Sequence, residues 1–217
     1  MEKKGIEKLE EDIKKELSNA QNRQLKNILI FSGVIILVFL LSYFIINSNN
    51  YFEYDGLKFN AEKYGEIIMY KTVFPLYSSI TGNHVADYNL YLRNDPRKLK
   101  DIPFNGEMNL KKDIIIYNKD ELKCDGYGIL AVVNMNNFFK SQVFDINFFK
   151  NETLKCDSEG RYMFIQIQES NETNIEQFGP SCYYLNVNDC EILEVTEKFI
   201  MESLTKINLD ERTIEWT

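Results

Sequence analysis

Residues 27–46 constrain this chain more than any other stretch: Asn-Ile-Leu-Ile-Phe-Ser-Gly-Val-Ile-Ile-Leu-Val-Phe-Leu-Leu-Ser-Tyr-Phe-Ile-Ile, with no charge between Lys26 and Glu53. A helix rises about 1.5 Å per residue, so roughly 20 apolar residues cross the ~30 Å hydrocarbon core of a bilayer. The run predicts one transmembrane helix, with the short leading segment and the long trailing segment on opposite sides of the membrane.

Three other readings of the run fit less well. A secretory signal has a short basic head, about 7–15 apolar residues and a small-residue cleavage site. Here the apolar run is longer and Asn47-Ser48-Asn49-Asn50 follows it. Lys3-Lys4-Gly5 is similar to the recognition site of archaeal prepilin peptidases, but a charged stretch separates it from the apolar segment. A buried core helix fits poorly at this length with every face apolar. An uncleaved anchor is the expectation. Its direction follows from the lysines: Lys3, Lys4, Lys8, Lys14, Lys15, Arg23 and Lys26 precede the span, whereas only Lys58 and Lys63 closely follow it. Cations stay on the cytoplasmic side, which puts the N-terminus inside. Tyr43, Phe44, Tyr51, Phe52 and Tyr54 would then mark the outer interface.

The segment beyond the span is long enough for one domain with its own core. It carries 18 basic and 27 acidic residues, a balance that repels nucleic acid. All four cysteines, Cys124, Cys156, Cys182 and Cys190, fall there. An even number in an oxidising compartment favours two disulfides. The spacings suit neither zinc nor thioredoxin-type chemistry, and His84 is the only histidine. No metal and no cofactor is expected. Sequons at Asn151 and Asn171 are candidate glycosylation sites.

Residues 1–26 are expected to form a cytoplasmic juxtamembrane amphipathic helix, because Ile6, Leu9, Ile13 and Leu17 recur at helical spacing. Residues 47–52 read as a polar and aromatic linker, and 53–217 as the outer α+β domain. Asp55-Gly56 signals a hairpin turn. Residues 66–74, ending at Pro75, and 85–93 read as strands, and Asn105-Gly106 as a turn. Strands are also expected at 114–117, 143–149, 161–168 and 183–187. The helix at 128–139 makes a strand–helix–strand unit with the first two, and a last helix spans 189–206. Asn188 and Glu191 fit a capping box for that last helix. Trp216 would dock the terminal segment on the core. The fold class is α+β, with a mixed β-sheet and two main helices behind a single anchor.

One cluster stands out chemically. Arg93-Asn94-Asp95-Pro96-Arg97-Lys98-Leu99-Lys100 concentrates cations in an acidic domain. Asp95 can cap a short helix begun by Pro96, which leaves the cations solvated. Alternatively Arg93, Arg97, Lys98 and Lys100 dock a carboxylate, a phosphate or an acidic partner. His84 reads as a surface loop residue. No nucleophile motif, glycine-rich phosphate loop or complete calcium loop accompanies it, so no catalytic residue is assigned.

Cys124-Asp-x-x-Gly128 and Cys156-Asp-x-x-Gly160 match each other, which suggests a Cys124–Cys156 bridge and, by elimination, Cys182–Cys190. The second pair meets a difficulty. An extended segment 183–187 runs on the order of 16 Å, whereas bridged Cα atoms lie about 4.4–6.8 Å apart.

The segments Tyr-Leu-Arg-Asn-Asp-Pro-Arg-Lys-Leu (91–99), Cys-Asp-Ser-Glu-Gly-Arg-Tyr-Met (156–163) and Cys-Tyr-Tyr-Leu-Asn-Val-Asn-Asp-Cys-Glu-Ile-Leu (182–193) resemble a group of short membrane-anchored proteins of small-genome archaea. The resemblance spans most of the outer part. It implies the anchored, extracytoplasmic architecture and transfers no catalytic or binding residue. Two functions follow as expectations. The first is a non-catalytic interaction or structural module of a cell-envelope assembly, with the bilayer and a protein as partners. The second is a surface hydrolase or small-ligand receptor with Arg93, Arg97 and nearby carboxylates lining a concave site.

Overall fold

A computed structural model describes residues 22–44, 50–77, 83–119, 124–142, 144–149 and 155–211. The chain is α+β, with one N-terminal apolar helix, two sheets, three further helices and two disulfides. It divides into two units, residues 1–49 and 50–217. In the first unit, helix α1 (Asn22–Phe44) has a mean hydropathy of 2.4 and is long and apolar enough to cross a membrane. It starts before the expected span. The expectations for residues 1–21, for the Asn151 sequon and for Trp216 lie outside the described residues.

The second unit begins at once with strand β1 (Tyr51–Tyr54), inside the stretch read as linker. Strands β1, β2 (Leu57–Tyr64), β3 (Ile67–Tyr77) and β4 (His84–Leu92) form an antiparallel meander. The β1–β2 turn places Asp55 and Gly56 at φ 50° and 75°, the pair of left-handed residues that a tight hairpin needs. Pro75 does not end its strand. The β2 ladder reaches β3 only as far as Thr72, so at Pro75 the strand pairs with β4 alone and a missing N–H on the open side costs nothing.

The expected single mixed sheet is therefore two sheets. The second has the order β5-β9-β10-β8-β6-β7, with β5 Phe104–Asn105, β6 Asp113–Asn118, β7 Asp145–Phe149, β8 Met163–Glu169, β9 Asn174–Gly179 and β10 Cys182–Val187. Strands β7, β6, β8 and β10 run parallel, and β9 returns antiparallel on β10. Helix α3 (Tyr127–Ser141) connects β6 to β7 and buries Ala131, Met135, Phe138 and Phe139, one face at helical spacing. Helix α4 (Ile192–Glu211) follows β10 and buries Ile192, Val195, Phe199, Ile200 and Leu204. These join Ile114, Ile116, Ile165, Ile167, Tyr183 and Leu185 of the sheet and Phe59, Phe74, Leu90 and Leu92 of the meander in one core. Phe74 meets Phe138 edge to face, 6.2 Å between centroids. At about 1.5–3 kcal/mol per buried large apolar side chain, this cluster dominates the cohesion of the domain.

The expected disulfide pairing is overturned. The bridges are Cys124–Cys190 and Cys156–Cys182. Strand direction sorts them: Cys124 lies past the C-terminal end of β6 and Cys190 past that of β10, while Cys156 precedes β8 and Cys182 opens β10. Parallel β6, β8 and β10 bring like ends together, so each bridge joins two cysteines at the same edge of the sheet. The capping box at Asn188 does not form either. Asp189 and Cys190 take φ 44° and 64°, and Glu191 instead accepts the Thr173 hydroxyl.

Candidate functional site

The basic segment after β4 folds as its sequence suggests. Helix α2 (Pro96–Leu99) starts on Pro96, and the Asp95 side chain accepts the Arg97 N–H at 3.0 Å. Pro96 and Leu99 are buried, which fixes the turn to the core. The four candidate cations then part ways. Arg97 forms a bidentate pair with Asp95, 2.9 Å from Nε and 2.6 Å from Nη2, and its guanidinium lies 4.1 Å over the Phe52 ring. This pairing holds the Asp95 carboxyl below the usual carboxylate range. Arg97 is thus a structural clasp between β1 and α2. Lys100 is exposed in the following turn and is not in the lining of the groove formed by Arg93 and Lys98.

Arg93 and Lys98 remain, and they line a shallow groove of about 620 Å³. Its walls come from Glu66 of the β2–β3 turn, from Ile67, Ile68 and Tyr70 of β3, from the 93–102 segment, and from Glu191 and Glu194 at the start of α4. Ile67 and Ile68 are exposed, giving the groove an apolar strip between its charges. Two cations thus share the groove with Asp95 and three glutamates, so it joins cations to carboxylates, while Arg97, expected in a concave site, is not in its lining.

Behind this wall sits a residue that the periodicity of α4 does not single out. Glu197 is fully buried. Its Oε1 accepts the Arg93 N–H at 2.7 Å; its Oε2 accepts the Asn94 N–H at 2.9 Å and the Asn94 side-chain amide at 3.0 Å. Burial pushes its pKa up to about 7, against these three hydrogen bonds, which favour the charged form. Glu194 on the preceding turn adds to the rise. The carboxylate closes backbone donors left open where β4 ends. A charged residue among Val195, Phe199 and Ile200 is the one signal the sequence offers for this role.

The second acidic cluster is local. Asp157 accepts the Arg161 N–H at 2.7 Å and forms a bidentate pair with its guanidinium, which holds the carboxyl well below the usual range. It shapes the turn between Cys156 and β8 and lies outside the lining of the groove. His84 hydrogen-bonds Asp87 at 2.9 Å on exposed β4, away from the groove lining. Asn171 is exposed in the β8–β9 turn, while its sequon partner Thr173 is engaged, taking the Asn188 N–H at 3.0 Å. No group of residues able to hold a metal ion is present among the described residues. Compared with protein-family models, curated proteins and solved structures, the chain finds no match.

Proposed function

We propose that the chain is a single-pass membrane protein with a cytoplasmic N-terminus, and that residues 50–217 form an extracytoplasmic, non-catalytic interaction module of a cell-envelope assembly. The groove at Arg93 and Lys98 carries this reading. It combines cations, carboxylates and apolar side chains along an open trough, the mixture a polypeptide segment offers in return. The length and hydropathy of α1, the lysine asymmetry and the two disulfides support the topology.

The test is affinity purification of the full chain in mild detergent, beside R93E/K98E. The wild type should retain a protein partner that the variant loses, while both keep the same circular dichroism. A wild-type chain that purifies as a partnerless monomer overturns the reading. The groove also favours a second reading, a small-ligand receptor, because its volume lies within the range of ligand sites. Thermal stabilisation of the purified chain by a zwitterionic amino acid, absent in R93E/K98E, would select that reading instead.

A further inference from the structure

We propose that Glu197 is a proton-sensitive latch behind the groove wall: protonated, it stays buried against the backbone of Arg93 and Asn94, and ionised, it carries a desolvation cost that loosens that packing. The inference rests on reading the groove as the partner site, and it names a regulator of that site. The geometry is specific. Glu197 spends both carboxylate oxygens on one two-residue segment, and the same two residues line the groove. Every donor involved comes from Arg93 or Asn94, so a change at Glu197 is felt there first.

A proton removes the charge assistance that makes hydrogen bonds to a carboxylate roughly twice as strong, but it also removes the cost of holding a charge in a dry site, and at Glu197 the second effect is the larger. The charged groups around the latch set its balance. Glu194 of α4 opposes ionisation. The segment packed on it brings Arg93, Asp95, Arg97 and Lys98, of which Asp95 and Arg97 neutralise each other. Glu66 and Glu191 complete the groove's charges, and Tyr70 lines it from β3. Burial holds the proton until about pH 7, so the latch changes state near neutrality and not in the acid range of an ordinary glutamate. A partner seated against Arg93 would meet a firm wall below neutrality and a yielding one above it.

The experiment is an NMR titration of the full chain in detergent micelles, following the Glu197 side-chain carboxyl carbon and the amides of Arg93 and Asn94. The carboxyl and both amides should shift with one shared midpoint near pH 7, and E197Q should abolish the amide titration. The wild-type carboxyl signal decides the matter even where E197Q folds poorly. A Glu197 midpoint in the ordinary carboxylate range, or amides that do not follow it, overturns the latch. The titration needs no partner, so its failure is distinct from failure of the groove reading. Partner capture at pH values either side of the midpoint then measures the consequence.

Discussion

Cys124 and Cys190 are bonded across 66 positions and tie the turn that opens α3 to the turn that opens α4. Neither turn has an ordinary cap. Gly126 makes no side-chain capping bond before α3, and Asp189 and Cys190 sit at positive φ before α4. The bridge therefore holds two helix starts that local sequence alone leaves loose. Loop-closure entropy ranks the bridges: about 4 kcal/mol for the 66-residue separation and about 3.5 kcal/mol for the 26-residue separation of Cys156–Cys182. Replacing Cys124 and Cys190 by Ala should lower the denaturant midpoint more than replacing Cys156 and Cys182. Non-reducing peptide mapping should recover these two pairs alone.

Glu197 makes stability depend on pH with a definite sign. Its folded pKa, about 7, lies above its ordinary value of 4.5. The folded chain thus holds a proton that the unfolded chain has released. The stabilisation is fully present below the ordinary value and is lost as pH rises through 7, a decline of roughly 3 kcal/mol from this group. E197Q should flatten that part of the profile. Its amide NH₂ must face one of the backbone donors, so at low pH the variant should be less stable by about 1–3 kcal/mol, and the gap should narrow as pH rises. Urea denaturation of wild type and variant across the window reads both effects.

What the sequence disclosed follows physical lines. Period and turn chemistry announce themselves locally. Asp55-Gly56, Asp95-Pro96 and the Ile114-Ile115-Ile116 run each formed the element they suggest. Register and strand order are not local, which is why Asn174-Ile-Glu-Gln-Phe-Gly179, with its polar residues, does not advertise itself as β9. The cysteine pairing failed for the same reason. The Cys-Asp-x-x-Gly repeat is a local resemblance, whereas the bridges obey parallel strand direction. The span of an extended 183–187 segment carries the right physics: β10 runs straight from Cys182 to Val187 and keeps Cys182 away from Cys190. The basic segment showed its cations but not their fates, because Phe52 and Asp95 claim Arg97 only once β1 lies beside α2.

Arg97 is a test of that distinction. Its pair with Asp95 is half-exposed, so screening limits its worth, and the contact with Phe52 adds a cation–π term. R97A should cost about 1 kcal/mol in a denaturation measurement. R97K should recover only part, because an ammonium cannot make the bidentate pair. Neither should change partner capture as R93E/K98E does, since Arg97 lines no part of the groove. An R97A variant of unaltered stability that loses the partner would place Arg97 in the site after all.

Gly179 offers a steric prediction that needs no unusual backbone angle. A Cβ at this position would lie 2.4 Å from the Cys156 sulfur and 3.3 Å from that of Cys182. Atoms in non-bonded contact do not approach so closely, and close-packed surroundings transmit the displacement. G179A should therefore push Cys156 away from its partner. The other bridge, Cys124–Cys190, is not among the nearest neighbours of Gly179 and should still close. Mass measurement after thiol alkylation without reductant distinguishes the outcomes: wild type should take up no label, whereas a fraction of G179A should carry two, both mapping to Cys156 and Cys182. Label spread over all four cysteines would instead mean that the substitution unfolds the domain, and a fully bridged G179A would mean that β9 can retreat from the sulfur without cost.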